Sequence, residues 1–350
     1  MAQKRLIPLG SDTASTPTEG MRKAMAEAQV GDEQKREDPS VNALCARVSE
    51  LLGQEDALFL PSGLMCNLVG VKAHTVPGDL VFAESMSHVI RAESAGAGLA
   101  SGVLIEAIPT ETGVFTAEDL LAALEESRSA PYPYAAPARL VCLEQSHNFG
   151  GGTVWSLAET KAIIEIAKQE GLATHLDGAR LLNATTALGA DPGDFGSLFD
   201  SVWIDFSKGL GAPVGAALAG SKDFIAAARR YKHLFGGAMR QAGIIAAGAL
   251  YALNHHLEGL ALDHQNARNL AAALSGMPGI EVANSEPATN MVFLQVEESL
   301  GGARGLAEKL KERGISVSVV TGRIRMVTHL DVTPEDIETT IAVFRELTGA

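Results

Sequence analysis

Between about residues 40 and 250, short apolar runs alternate with stretches of helical spacing, and this alternation constrains the fold more than any other feature. "ALFL" (57–60), "LVFA" (80–83), "RLVCLE" (139–144), "LATHLD" (172–177) and "SVWIDF" (201–206) have the nearly continuous apolar character of strands buried on both faces. "NALCARVSELLG" (42–53) and "LAETKAIIEIAKQEG" (157–171) carry helical spacing, and Gly171 suits the position just past a helix end. The pattern predicts an α/β fold with a mostly parallel sheet covered by helices. Ligands of such sheets sit beyond the carboxyl ends of the strands. Ser62, His88, His147, Asp177 and Lys208 all fall there.

A long helical stretch follows at about 240–274, and then the rhythm changes. Strands are expected near 280–283, 291–296, 315–319 and 324–327, with a helix at 302–313, which reads as a smaller C-terminal α+β domain. The predicted division is an N-terminal segment (1–25), a large domain (26–255) and a small domain (256–350). "SRSAPYPYAAPAR" (127–139), with three prolines, reads as a loop.

Apolar residues make up 46% of the 350, enough for a sizeable core. The formal charge of −14, with no long basic block, argues against nucleic acid and anionic membrane surfaces as partners. Cys45, Cys66 and Cys142 share no CxxC spacing and lie in apolar stretches, so reduced thiols and a cytoplasmic location are expected. His255, His256 and His264 lack carboxylates at ligand spacing, and no metal site is expected.

Three short stretches carry chemistry. In "SVWIDFSKGLGAPVG" (201–215) a strand-like run delivers Lys208 into a segment where five of the next seven residues are Gly, Ala or Pro. An amine that has lost hydration is a candidate nucleophile. Asp177 closes "LATHLD", with Gly178 next and Arg180 three positions on; a carboxylate there suits a cationic ring nitrogen, and an arginine suits a carboxylate or phosphate. "FLPSGLMCN" (59–67) places Ser62 and Gly63 at a helix start, where free amides and the macrodipole can cradle phosphate. Amine, ring-nitrogen carboxylate and anion cup together are what pyridoxal 5′-phosphate (PLP) requires.

"GSDTASTP", "VGDEQKREDPSVNAL", "FLPSGLMCN", "EQSHN", "HLDGARLLNA", "DFSKGLGAPVG", "GGAMRQAG" and "RMVTHLD" resemble, in order from residue 10 to 331, the motifs of the low-specificity threonine aldolases. The resemblance implies a fold-type I PLP enzyme, a homotetramer with sites shared between subunits, and cleavage of β-hydroxy-α-amino acids to glycine and an aldehyde. Another lyase or hydroxyalkyl transferase on the same scaffold, or a silent PLP-binding protein, are the alternatives. It makes Lys208 the cofactor-linked lysine and Asp177 the partner of the ring nitrogen. Ser62, Gly63 and Leu64 fall on the phosphate cup with Ser207 beside it, and Arg240 on an arginine reaching a neighbouring subunit's phosphate. Ser11, Arg180 and Arg325 match the groups that hold the substrate carboxylate. His88 matches the histidine stacked on the ring, His147 lies where the β-hydroxyl should point, and either is a candidate base. Lys35 and Arg36 depart from the family's Tyr-Gly. Lys35 is expected either to read the substrate's β-substituent or to face Glu33, Glu37 or water.

Overall fold

The computed structural model describes residues 5–131 and 133–350; the first four residues of the N-terminal segment, and Tyr132 of the proline-rich loop, lie outside the described residues. Seven strands form the main sheet: β1 (Asp56–Leu60), β2 (Leu80–Glu84), β3 (Leu104–Ile108), β4 (Ala138–Glu144), β5 (Ala173–Gly178), β6 (Ser201–Asp205) and β7 (Ala216–Gly220). Their order is β1-β7-β6-β5-β4-β2-β3. Only β7 runs against its neighbours, β1 and β6. The carboxyl ends of six parallel strands therefore meet at one edge, and that edge carries the site.

Five of these strands coincide with the apolar runs; β3 and β7 do not appear among them. β3 is an edge strand on which four of five residues are not fully buried. β7 is the alanine-rich "AALAG", which lacks the β-branched residues that mark a strand. Residues 207–215, between β6 and β7, turn the chain back on itself with Gly211 at φ +76°. The small residues after Lys208 thus serve a reversal.

The helix Gly63–His74 starts at Ser62, whose hydroxyl accepts from the Met65 amide. Its Gly63, Asn67, Gly70 and His74 recur at helical spacing on the face toward the sheet. Gly63 and Gly70 let it lie close. A Cβ on Gly63 would stand 2.4 Å from the Trp203 ring, and one on Gly70 2.5 Å from His175 Cε1. The expected 157–171 helix forms as Leu157–Gln169 with a Ser156/Glu159 capping box.

The predicted 240–274 helix is two, Gly243–His255 and Leu260–Leu274, separated by a short turn. The first packs in the large core through Ala246, Ala249, Ala252 and Leu253. The second places Leu260 in the large core and Leu270, Ala271 and Leu274 in a separate C-terminal core. That core backs a four-stranded antiparallel sheet of β8 (Ile280–Val282), β9 (Met291–Val296), β10 (Ser318–Val320) and β11 (Arg323–Val327), in the order β10-β11-β9-β8. Ile7 and Leu9 belong to it as well, because Ile7–Pro8 pairs in parallel with Ile315–Ser316. The N-terminal segment is thereby led past the small sheet toward the large one. No helix among the described residues is long and apolar enough to cross a membrane.

Gly70→Ala should destabilise the fold by about 1–3 kcal/mol, the usual cost of overpacking, because the His175 ring opposite is held on both nitrogens. Denaturant unfolding checks this, and an unchanged midpoint would show that the helix can lift away.

Candidate active site

Leu64, His88, Asp177, Arg180, Asp205 and Lys208 line one pocket at the carboxyl edge of the main sheet. Asp177, at the end of β5, is buried; its Oδ2 accepts from Asn67 Nδ2 at 2.7 Å and its Oδ1 from the Ala179 amide at 3.1 Å. Burial and the nearby Glu144 carboxylate push its carboxyl up to about 6, against the opposing pull of His88, Lys208 and the Asn67 hydrogen bond. Lys208 Nζ stands 3.4 Å from Asp205 Oδ2 and over the Trp203 ring, 5.8 Å from its centroid. Asp205 Oδ1 accepts from both the amide and the hydroxyl of Ser207, which fixes the backbone just before Lys208.

Opposite this pair lies an arginine site. Arg180 grips buried Asp12 as a fork, Nε to Oδ2 and Nη2 to Oδ1, both at 2.7 Å. Burial alone would raise the Asp12 carboxyl, but the Arg180 charge and hydrogen bonds hold it well below the usual range. Arg325, on β11, donates Nη1 to Asn148 Oδ1 at 2.8 Å and Nη2 to the Gly10 carbonyl at 3.2 Å. Its Nε has no hydrogen-bond partner among the described residues, and burial together with the Arg180 charge lowers its pKa. Asp12 is paired with Arg180, whereas Arg325 meets only the neutral acceptors of Asn148 and Gly10, so the site has capacity for a further anion. Ser11 caps the turn Asp12–Ala14 by accepting from the Thr13 amide, and so orients the loop that delivers Asp12.

His88 is half-buried on the pocket wall. Its Nδ1 meets Glu93 Oε1 at 2.8 Å, and its backbone amide donates to Glu144 Oε2 at 2.6 Å. Burial lowers the imidazole pKa, but the Glu93 hydrogen bond and the charges of Asp177, Glu93 and Glu144 outweigh it and raise it. With Nδ1–H committed to Glu93, Nε2 carries the lone pair.

His147 departs from expectation. Its ring is fully buried, Nδ1 accepts from the Gly150 amide at 3.0 Å, and Nε2 stands 3.0 Å from Glu84 Oε2. His147 forms an isolated antiparallel bridge with Thr153 and is not among the residues that line the pocket. Arg240 is also apart from the pocket in this chain, exposed and paired with Asp32 at 3.0 Å. Lys35 is exposed, and Glu33 is buried against Lys232 Nζ at 2.6 Å instead. Arg36 holds a left-handed position, φ 58°, where the resembling family has glycine, and pairs with Asp56.

The donor set fits PLP. Ser62, exposed at the cap, and the Gly63 and Leu64 amides lie at the start of a three-turn helix suited to phosphate. The Arg325 Nε, unpartnered among the described residues, and the carboxylate at the end of β5 provide for an anion and a ring cation. Asp12, Asn67, Glu93, Glu144 and Asn148 complete the site, and none was singled out in the sequence.

Residues 8–299 match the family model of the β-eliminating lyases. The low-specificity L-threonine aldolase 1 of Arabidopsis thaliana is 38% identical, with 98% of this chain and 96% of that protein covered. The low specificity L-threonine aldolase of Escherichia coli K12 is 35% identical over 97% of this chain and 98% of that protein. Among solved structures, a Leishmania major threonine aldolase superposes with a TM-score of 0.84 at 23% identity, covering 97% and 99% of the two chains. A serine palmitoyltransferase solved with PLP superposes at 0.75 and 19% identity, covering 98% and 87%, and shares the fold.

Asp12→Ala should cost about 3–5 kcal/mol, since it strands a buried guanidinium. Chemical unfolding of wild type and variant measures it; a loss under about 1 kcal/mol would mean that Arg180 finds water or another acceptor.

Proposed function

The chain belongs to the low-specificity threonine aldolases of the β-eliminating lyase family, and on that footing we propose that it cleaves L-threonine, L-allo-threonine and related β-hydroxy-α-amino acids to glycine and an aldehyde, with PLP as cofactor. The observation that carries this reading is the pocket that joins Asp177 and Lys208 to the two-arginine site. Lys208 would bond to the cofactor aldehyde, Asp177 would accept from the ring nitrogen, and the Gly63 and Leu64 amides with Ser62 and Ser207 would hold the phosphate. Bound there, PLP supplies the sink for the electron pair released when the Cα–Cβ bond breaks.

The chain's own residues do the rest. Arg325, with Arg180 held beside it by Asp12, would bind the substrate carboxylate, and fixed donors of this kind limit the rotation of the amino acid. His88 Nε2 is the base we assign to the β-hydroxyl proton, because its lone pair is set by the Glu93 contact at Nδ1. The burial of His147, away from the residues that line the pocket, supports assigning that role to His88 rather than His147. We also read the protein as a cytoplasmic homotetramer in which Arg240 serves a neighbour's phosphate. Its 61% exposed side chain and the exposed Leu64, Leu234 and Ile244 support the assembly, and three free cysteines support the compartment.

Purified protein supplied with PLP should release glycine and acetaldehyde from L-threonine, and Lys208→Ala should abolish turnover. Borohydride reduction followed by mass analysis should find the cofactor attached to the wild-type chain and not to the variant. Attachment to the variant would take the role from Lys208.

The acidic limb of kcat should follow His88, which must be unprotonated to act. Since neighbouring carboxylates raise its pKa, Glu93→Gln should move that limb to lower pH. A limb that stays in place would remove His88 and Glu93 as the base pair.

A further inference from the structure

Behind Asp177 lies a file of polar groups that the reaction does not touch. Asn67 stands in an otherwise apolar helix stretch, and its amide makes four contacts. Nδ2 donates to Asp177 Oδ2 at 2.7 Å and to Glu93 Oε1 at 2.6 Å. Oδ1 lies 2.7 Å from Trp203 Nε1 and 3.1 Å from His175 Nε2. An indole nitrogen can only donate, so it identifies the oxygen of Asn67. His175 Nε2 must then carry a proton. Its Nδ1, 2.7 Å from Ser201 Oγ, accepts the hydroxyl proton. Ser201 Oγ in turn accepts from His74 Nε2 at 2.7 Å. One indole therefore fixes every proton in the file.

We propose that Asn67 is a positioning residue, and that the directed chain from His74 through Ser201 and His175 to Asn67 holds Asp177 as a carboxylate in one orientation; this rests on the aldolase reading above. A flipped Asn67 would set its NH2 against two N–H groups and its oxygen against two carboxylates. The flip is blocked at both ends. Burial pushes His175 down to about 3 and His74 down to about 4, so both rings stay neutral and the tautomers persist. The groups facing Asp177 are Glu144 from β4, His147 just beyond it, His88 and Glu93 beyond β2, Lys208 after β6, and the thiols of Cys66 and Cys142, which burial pushes up. Glu144 raises the Asp177 carboxyl, and Asn67 is the neutral donor that opposes it.

Losing that donor should raise the Asp177 pKa. The carboxylate is the form that pairs with a protonated ring nitrogen, so cofactor affinity falls as pH falls through that pKa. In the variants the fall should begin at higher pH. The test titrates wild-type, Asn67→Ala and Ser201→Ala apoproteins with PLP from about pH 5.5 to 8, following absorbance, and measures kcat and KM for L-threonine on each holoenzyme. Asn67→Ala should lose about tenfold or more in PLP affinity and in kcat near neutral pH, with KM within about threefold. Ser201→Ala touches neither Asp177 nor the pocket, yet should shift affinity and kcat in the same direction by about threefold or more. Where Asn67→Ala does not fold, Ser201→Ala decides alone. A folded Ser201→Ala whose pH profiles overlay those of wild type overturns the chain, and an Asn67→Ala within twofold of wild type overturns the role of Asn67. Wild type that neither binds PLP nor cleaves threonine removes the aldolase reading and this inference with it.

Discussion

The buried fork between Asp12 and Arg180 is the contact on which the geometry of the pocket depends. Asp12 rides on a segment anchored in the C-terminal core, and Arg180 follows the strand that carries Asp177 in the large sheet. The fork therefore joins two hydrophobic cores that otherwise share the helix Leu260–Leu274. Apolar packing has no direction and could tolerate small slippage between these bodies. A bidentate ion pair cannot, because both hydrogen bonds lengthen together. Arg325 and Asn148 extend the same constraint: Asn148 Oδ1 is held by one guanidinium at 2.8 Å and approached by the other at 3.5 Å.

The pocket is also organised by an imbalance of charge. Its lining carries the carboxylates of Asp177, Glu144 and Asp205, with Glu93 behind His88, and the guanidinium of Arg180, with Arg325 behind Asn148. Burial and the Glu144 charge push the Asp177 carboxyl up, and the carboxylates of Glu93, Asp177 and Glu144 push His88 up. Neutral donors offset this crowding: the Asn67 amide reaches the carboxylates of Asp177 and Glu93, and the backbone amides of Ala179, His88 and Asn148 reach those of Asp177 and Glu144.

Lys208, Asp177 and Arg180 could be singled out because they fall at or just past strand ends, whereas Arg325, in the middle of β11, was reached only through the family resemblance. Asp12, Asn67 and Asn148 were not, since each acts through a partner far along the chain: Asp12 lies 168 residues from Arg180, and Asn67 110 from Asp177. A signal existed for Asn67, an amide at helical spacing from two glycines in an apolar helix. Five of the six parallel strands could be read from their apolar runs, whereas β3 and β7 lack such runs, being respectively an edge and an alanine strip. His147 shows the limit of position as a guide: it follows β4 directly, yet it is buried and is not among the residues that line the pocket.

The buried pair of Lys232 and Glu33 has a thermodynamic meaning for assembly. Lys232 Nζ donates to Glu33 Oε1 at 2.6 Å and to the Phe59 carbonyl at 2.8 Å, while the Glu33 amide donates to the Arg240 carbonyl. The 31–38 segment and the loop bearing Arg240 are thus tied to the large domain within a single chain. Ordering a flexible interface costs about 0.5–1.5 kcal/mol per immobilised side chain, a penalty that falls on the association step. In the assembly proposed above, the backbone of this segment would already be ordered by the folding of a single chain, so docking would not bear that cost.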